Sequence, residues 1–425
     1  MKEKMKFENS KSFALQLDER DPLRSFRDQF LFPQSETGET SIYFAGNSLG
    51  LQPKKAKTYI CEELDDWAKF GVEGHFLGRH PWLSYHENVT EQSARLVGAK
   101  PIEVVVMNTL TVNLHLMMVS FYQPTAKRFK ILVEAGAFPS DQYAVASQAQ
   151  FHGFDPKEAI IELKPKAGES TLKTADILEV IRREGDSIAL VMLGNVNYLT
   201  GQAYEFEPIT QAAHEIGCKV GFNLAHGAGN LLLKLHDWQV DFAVWCSYKY
   251  LNAGPGGLAG CFVHENHSKS ADLPRFAGWW GHDKESRFKM GPQFNAIPGA
   301  EGWQLSNPPI FQLAALRASL ELFDEATMTR IRDKSELLTG YLEFLLDQLP
   351  NEICEITTPR SPHERGAQLS LKFKKDPKKL LKDLAEKGVI CDFREPDIIR
   401  AAPAPLYNSF MDVYRFGAIL SEHAR

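Results

Sequence analysis

The sequence predicts an α/β fold with a mainly parallel sheet, followed by a smaller α+β unit. From about residue 70 to about residue 265, apolar runs typical of buried strands alternate with stretches of helical spacing. These runs are VVVMN, ILVEA, SIALVMLGNV, KVGFNLAH, VDFAVWCS and GLAGCFVH. After about residue 325 a long helical stretch leads into the strand-like EICEITTP and AQLSLKFK, the helical DPKKLLKDLAEKG and the strand-like VICDFREPDIIRAAP.

The order of these elements also predicts the domain boundaries. Residues 1–50 form a polar leader and a short extended segment, SIYFAGNSLGLQP, that contains a turn. The large domain is expected over 51–315, and its first helix is PKKAKTYICEELDDWAKF, in which Pro53 suits the first turn. The stretch SNPPI marks the end of this domain, and 316–425 is the expected small domain. A cleft between two such units is a usual ligand site.

Composition favours a small-molecule ligand. The formal net charge of the 425 residues is -6, whereas a nucleic-acid or acidic-membrane surface calls for clustered positive charge. No run has the length and apolar character of a signal peptide or a membrane span, and the six cysteines form no C-x-x-C pair. We therefore expect a cytoplasmic protein that binds neither nucleic acid nor a membrane.

Three short motifs have weak functional interpretations. The stretch GNSLG, around Ser48, matches the elbow of serine hydrolases, but it lies before any sheet has been built. The stretch GPGGLA loosely fits a dinucleotide loop, but an apolar strand follows it where that loop needs a helix. His75 and His80 have no acid or cysteine at metal-ligand spacing, so no metal site is predicted.

Lys249 carries the strongest chemical signal. It follows the apolar run VDFAVWCS and precedes the glycines of LNAGPGG, so it is expected where a buried strand meets its loop. Partial burial there lowers the pKa of an amine and frees its lone pair for Schiff-base chemistry, whereas the alternative is a solvated surface charge. Asn223 ends the run KVGFN, about one strand and crossover earlier, which places both residues at one edge of the sheet.

Longer stretches resemble kynureninases, which are pyridoxal 5'-phosphate (PLP) enzymes of the aspartate-aminotransferase fold (fold type I). The resemblance runs from about Asn47 to the carboxyl end. The matching stretches are WAKFGVEGH, MNTLTVNLHLMM, EAGAFPSDQYA, GFNLAHGAGN, LHDWQVDFAVWCSYKYLNAGPGG, GWWGHDKESRFKM, QLSNPP and AAPAPLYNSFMDVYRF. The resemblance implies PLP as cofactor, an amino-acid substrate and a homodimer with active sites at the subunit interface.

The reaction implied by this resemblance belongs to tryptophan catabolism and NAD biosynthesis. It is hydrolysis of the Cβ–Cγ bond of L-kynurenine or 3-hydroxy-L-kynurenine, which gives anthranilate or 3-hydroxyanthranilate and L-alanine. Lys249 is expected to form the Schiff base with PLP, and Tyr248 is expected to contact the phosphate and serve in proton transfer.

The resemblance also implies the other site residues. Leu110 and Thr111 are expected at the phosphate and Phe138 against the pyridine ring. The full set expected to bind the cofactor is Leu110, Thr111, Phe138, Ser140, Asp141, Asn223, His226, Tyr248, Lys249, Trp279 and Asn307, of which Trp279 and Asn307 come at least partly from the partner subunit. Arg400 is the expected clamp for the substrate α-carboxylate. His75 and Asn307 are expected to face the aromatic ring of the substrate and to favour 3-hydroxykynurenine.

Two positions depart from the family pattern. Asn223 stands where the family has an aspartate that pairs with the protonated pyridine nitrogen of PLP. The amide carries no charge, so we expect slower turnover with cofactor binding largely intact, and the alternative is that Asp141 close by supplies part of the charge. Gly194 stands where some relatives have a serine in the cofactor site. The alternatives are therefore a PLP-binding homologue of impaired or altered activity, or a related PLP enzyme such as a desulfurase-like lyase or an aminotransferase.

Overall fold

The computed structural model describes residues 6–35, 38–267, 273–350 and 353–423. The helices of these residues are α1 (Lys11–Arg20), α2 (Lys54–Phe70), α3 (Thr90–Val97), α4 (Leu110–Phe121), α5 (Pro139–Phe151), α6 (Pro156–Ala159), α7 (Thr174–Glu184), α8 (Phe206–Glu215), α9 (Ile310–Ala326), α10 (Met328–Leu346), α11 (Pro377–Glu386) and α12 (Phe410–His423). Short 3-10 helices connect several of them.

The strands fall into one large sheet, one smaller sheet and two short pairs. They are β1 (Phe30–Leu31), β2 (Ile42–Tyr43), β3 (Gln52–Pro53), β4 (Val104–Met107), β5 (Lys130–Glu134), β6 (Ile160–Leu163), β7 (Ile188–Gly194), β8 (Lys219–Asn223), β9 (Phe242–Cys246), β10 (Ala259–Val263), β11 (Cys354–Ile356), β12 (Leu369–Phe373), β13 (Val389–Ile390), β14 (Asp392–Arg394) and β15 (Ile398–Ala401).

The large sheet is mainly parallel, as predicted. Its strand order is β4-β10-β9-β8-β7-β5-β6, and only β10 runs antiparallel to its neighbours. Strands such as β9 are buried along their whole length, because helices cover both faces of the sheet. The apolar runs of the sequence lack alternation for this reason.

The smaller sheet forms the predicted α+β unit near the carboxyl end. Its order is β11-β12-β15-β14, with every pairing antiparallel. A separate hydrophobic cluster lies beside it, built largely by residues of α10, α12 and the sheet, and α1 adds Ala14 and Leu17 to that cluster. The N-terminal β2 also pairs with β13 of this unit. The predicted domain boundaries stay a prediction.

No helix in the described ranges has the length and apolar character needed to cross a membrane.

Candidate active site

A cavity of about 180 Å³ lies at the carboxyl ends of the parallel strands. Its lining consists of Leu110, Thr111, Glu134, Phe138, Ser140, Asp141, Gly194, Val196, Tyr198, Asn223, Ala225, His226, Tyr248 and Lys249. All of these residues end or follow one of the strands β4, β5, β7, β8 and β9. This edge is the usual ligand position in open α/β sheets, because the loops after parallel strands converge there.

Two helices begin at the cavity. α4 starts at Leu110, directly after β4, and α5 starts at Pro139 after β5. A hydroxyl–hydroxyl hydrogen bond of 2.9 Å joins Thr111 Oγ1 to Ser140 Oγ across the two first turns. The first N–H groups of a helix have no partner within the helix, and its dipole places partial positive charge there. The two helix ends therefore form a favourable position for an anion such as a phosphate.

Lys249 and His226 meet inside the cavity. Lys249 Nζ lies 2.9 Å from His226 Nε2. Burial lowers the pKa of Lys249, and burial together with the charge of Lys249 lowers the pKa of His226 well below its usual value. A neutral imidazole that accepts from Lys249 at Nε2 carries its proton on Nδ1, and that buried atom has no hydrogen-bond partner among the described residues. The pair thus offers a reactive amine beside a free donor.

Asn223 and Asp141 form a close pair at the base of the cavity. The Nδ2 atom of Asn223 donates to both carboxylate oxygens of Asp141, at 2.9 and 2.7 Å. Burial raises the pKa of Asp141 to about 6, although the bond from Asn223 and the charge of Lys249 oppose this rise. The sequence predicted both residues in one site, and the structure brings them into direct contact.

Glu134, the last residue of β5, is a second buried acid of the cavity. Both of its carboxylate oxygens accept from the Gly194 N–H at 3.1 Å. Burial raises the pKa of Glu134 to about 8. A Cβ atom at Gly194 would stand 2.6 Å from Glu134 Oε1, so the glycine found at this position leaves room for the acid.

Aromatic rings form a wall of the cavity. Phe138 is 40% exposed, and its ring centroid lies 5.8 Å from Lys249 Nζ. Tyr198 holds Phe138 by an edge-to-face contact of 5.3 Å between centroids. The Tyr248 ring centroid lies 5.9 Å from Lys249 Nζ, and burial raises the pKa of its phenol, which keeps the hydroxyl protonated. A flat ring bound beside Lys249 would find an apolar face at Phe138.

Arg400 does not line the cavity, although it contacts the backbone of Tyr198, which does. It is buried on β15, where its Nε donates to Asp392 Oδ1 at 2.9 Å and its Nη1 donates to the Tyr198 carbonyl oxygen at 2.7 Å. Its Nη2 lies 2.7 Å from Asp392 Oδ1 but makes no well-directed hydrogen bond in the described chain. The guanidinium is therefore held by Asp392 and by the Tyr198 carbonyl oxygen, and the role predicted for Arg400 stays a prediction.

The structure does not bring Trp279, Asn307 or His75 to the cavity lining of the single chain. Trp279 is 40% exposed and donates from Nε1 to the Arg287 carbonyl oxygen, and Asn307 is exposed. His75 is bonded through Nδ1 to the Val72 carbonyl oxygen. The roles predicted for these three residues stay predictions.

Sequence reasoning missed four of the lining residues: Glu134, Val196, Tyr198 and Ala225. Glu134 gave a usable signal, because it ends the apolar run ILVE just as Lys249 follows another apolar run. Val196 and Tyr198 lie in the loop after β7, where nothing in the local pattern marks a side chain as part of a site.

Comparisons with known proteins agree with this geometry. The family profile "Kynureninase C-terminal domain" matches residues 331–420. The kynureninase of Myxococcus xanthus is 71% identical over 99% of this chain and 98% of its own length, and that of Nematostella vectensis is 50% identical over 97% and 93%.

Solved structures share the fold at low identity. A variant of C-DES with glycine linked covalently to its PLP cofactor has a TM-score of 0.76 at 18% identity, covering 93% of this chain and 99% of its own. The cysteine desulfurase of Thermococcus onnurineus has a TM-score of 0.73 at 18% identity, covering 90% and 94%. These structures show the fold, which is the one predicted, and the full-length relatives show the family. The chain belongs to the kynureninase family.

Proposed function

We propose that this chain is a PLP-dependent kynureninase. It hydrolyses the Cβ–Cγ bond of L-kynurenine or its 3-hydroxy form and releases L-alanine with anthranilate or 3-hydroxyanthranilate. The observation that carries the proposal is Lys249, whose pKa is lowered and which lines a cavity together with the N-termini of two helices. The chain is also 71% identical to a kynureninase over nearly its full length. The pathway would be tryptophan catabolism leading to NAD biosynthesis.

The residues present fit PLP. The buried Nδ1 of His226 has no partner in the described chain and can donate to an acceptor on the cofactor. The first turns of α4 and α5, bridged by Thr111 and Ser140, can hold its phosphate. Phe138 offers an apolar face to its ring. Lys249 would hold its aldehyde carbon through Nζ.

Each of three side chains then has its own role in the reaction. Bound PLP supplies an electron sink for the amino-acid carbon atoms. Burial lowers the pKa of Lys249, which favours its neutral amine, and that amine can take up the α-proton at Nζ. Tyr248, kept neutral by burial, can donate a proton beside it. Arg400, held by Asp392, is the cation proposed to bind the α-carboxylate.

A desulfurase-like reaction is disfavoured, although the structural neighbours include a cysteine desulfurase. No cysteine is among the described residues that line the cavity. Cys246 lies nearest along the chain, but it is buried, and burial raises the pKa of its thiol. A persulfide carrier needs an exposed thiolate.

The proposal includes a cytoplasmic homodimer. Trp279 and Asn307 lie on segments joined by the bond from the Trp280 N–H to the Leu305 carbonyl oxygen, 3.2 Å long. Both side chains are exposed in the single chain, which is consistent with their completing the site of a partner subunit.

The test is an assay of alanine and anthranilate release by the full chain loaded with PLP. Borohydride reduction followed by peptide mapping should place a pyridoxyl group on Lys249. Lys249→Ala should abolish both signals, and Lys164→Ala, at an exposed position, should leave both unchanged. Labelling of another lysine, or no alanine release by the loaded wild-type chain, would contradict the proposal.

A further inference from the structure

The cavity contains two acids in the described chain, Glu134 and Asp141, and both are buried. A buried carboxylate is expensive unless hydrogen bonds or a cation compensate for the lost hydration. Glu134 has a pKa raised to about 8 by burial and is mostly neutral at pH 7. Asp141 receives two hydrogen bonds from Asn223 and the attraction of Lys249, which favour its ionised form. Asp141 is therefore the anionic group at the base of the cavity.

The orientation of the Asn223 amide is fixed by its surroundings. Its Nδ2 donates to Asp141, while its Oδ1 accepts from the Ala225 N–H at 2.9 Å. A flipped amide would face the carboxylate with an oxygen and the Ala225 N–H with a donor, so it would lose all three bonds. Asn223 therefore holds the Asp141 carboxylate in one position, and the Ala225 N–H occupies the Asn223 side-chain oxygen.

The Asn223–Asp141 pair carries the same net charge as a pair with an aspartate at both positions. Two carboxylates less than 3 Å apart cannot both ionise, so they share one proton and carry a single negative charge. Asn223 with ionised Asp141 also carries a single negative charge, because the amide N–H takes the place of the shared proton. The sequence alone predicted that Asn223 slows turnover, and these bonds argue for a smaller cost.

We infer that Asp141, oriented by Asn223, supplies the negative charge that keeps the ring nitrogen of the bound cofactor protonated. Asn223 is then a positioning residue, and the electron sink keeps its strength without an acid at position 223. This inference rests on the proposed use of PLP. It assigns the ring-nitrogen partner to a residue of α5 rather than to the end of β8.

The test measures ring protonation directly. The full chain is loaded with PLP that carries ¹⁵N in the ring, and the ¹⁵N NMR shift is recorded near pH 7.5 for the wild type, Asn223→Asp, Asp141→Asn and the double swap Asp141→Asn/Asn223→Asp. We expect a protonated nitrogen in the wild type, in Asn223→Asp and in the swap, and an unprotonated nitrogen in Asp141→Asn. The dissociation constant for PLP should rise about ten- to a hundredfold in Asp141→Asn through loss of a charge-assisted hydrogen bond, and less than about threefold in Asn223→Asp.

The outcomes separate this inference from the proposed function. Failure of PLP to bind Lys249 would overturn the proposed function. Binding with a protonated nitrogen in Asp141→Asn would overturn only the inference, as would an unprotonated nitrogen in the wild type. If Asp141→Asn does not fold, the wild-type spectrum decides the question, because an unprotonated nitrogen there contradicts the inference.

Discussion

Lys249 Nζ lies 2.9 Å from His226 Nε2 in the interior of the protein, and both bases have a pKa lowered first of all by burial. Each of them is pushed toward its neutral form, since two adjacent buried cations would repel each other without hydration. The imidazole of His226 is therefore kept uncharged beside Lys249, and acid is expected to act first on this pair.

The pH dependence of stability should reveal the neutral state of His226. Below the ordinary histidine pKa of 6.5, the unfolded chain binds a proton that folded His226 does not, so the free energy of unfolding falls as pH falls. His226→Gln should make this slope shallower by up to about 1.4 kcal/mol per pH unit. Chemical denaturation of the cofactor-free protein between about pH 5 and 7.5 measures it. His363→Gln, at an exposed position, should keep the wild-type slope.

Asp241 should stabilise the amino-terminal edge of the large sheet. Its carboxylate accepts from His214 at 2.8 Å, His267 at 2.7 Å and Lys219 at 3.0 Å. Burial alone would raise the pKa of Asp241, but these partners outweigh burial and hold it below the ordinary value of 3.8. Asp241→Ala should cost about 1–3 kcal/mol of unfolding free energy near pH 7, because it removes these bonds and leaves the buried Val220 N–H, which donates to Asp241 at 2.8 Å, without this acceptor.

The contribution of Asp241 has a defined pH window. A lowered acid pKa stabilises the fold above the ordinary value of 3.8 and loses this effect as pH falls below it. The difference between the wild type and Asp241→Ala, measured by denaturant titration, should therefore shrink below about pH 4. A constant difference across that range would contradict the ionised state.

Gly221 should not tolerate a side chain. It lies in β8, two residues before Asn223, and an added Cβ would stand 2.0 Å from Phe242 Cζ. Gly221→Ala should cost about 1–3 kcal/mol by overpacking and should also weaken PLP binding, because the strand that carries Asn223 must shift. Gly291→Ala is the matched control, since an added Cβ there meets nothing within 4 Å. Equal melting temperatures of the two variants would refute this account.

Asp392 should act on the substrate through Arg400. The two residues face each other on β14 and β15, and Asp392 Oδ1 accepts from Arg400 Nε at 2.9 Å. Asp392→Asn weakens this hold, so KM for kynurenine should rise about tenfold with a smaller change in kcat, as expected for lost ground-state binding. Asp397→Asn, whose partner Lys372 is largely exposed, should leave KM unchanged. A fall in kcat alone would assign Asp392 a different role.

Asn307 should form a hydrogen bond with the ring hydroxyl of 3-hydroxykynurenine. A polar group placed for a phenolic hydroxyl is left unpaired when that hydroxyl is absent, which costs about 1–3 kcal/mol. The preference of kcat/KM for 3-hydroxykynurenine should then be about ten- to a hundredfold, and Asn307→Thr should reduce it. The same ratio in the wild type and in Asn307→Thr, or a wild-type preference for unsubstituted kynurenine, would show that Asn307 does not recognise the ring hydroxyl.

The apolar runs of the sequence located the residues that end or follow strands. Lys249 and Asn223 were accessible to sequence reasoning, because apolar runs identify buried strands and the following residues reach the carboxyl edge of the sheet, whereas Phe138 came only from the resemblance to kynureninases. The contact between Asp392 and Arg400 was not accessible, since it depends on the register of two antiparallel strands. Trp279 and Asn307 lie outside the long helices and strands, so tertiary contacts decide their positions.

The place of β10 in the large sheet has a consequence for synthesis of the chain. In the large sheet, β10 lies between β4 and β9 and pairs with both. The start of α4 at Leu110 therefore reaches its position near Lys249 only after residues 259–263 have left the ribosome and formed these pairs. Parallel strands far apart in sequence already assemble slowly, because loop closure comes before the stabilising contacts. Cofactor uptake should thus report completion of the whole sheet, and a nascent chain that stops before β10 should be unable to capture PLP.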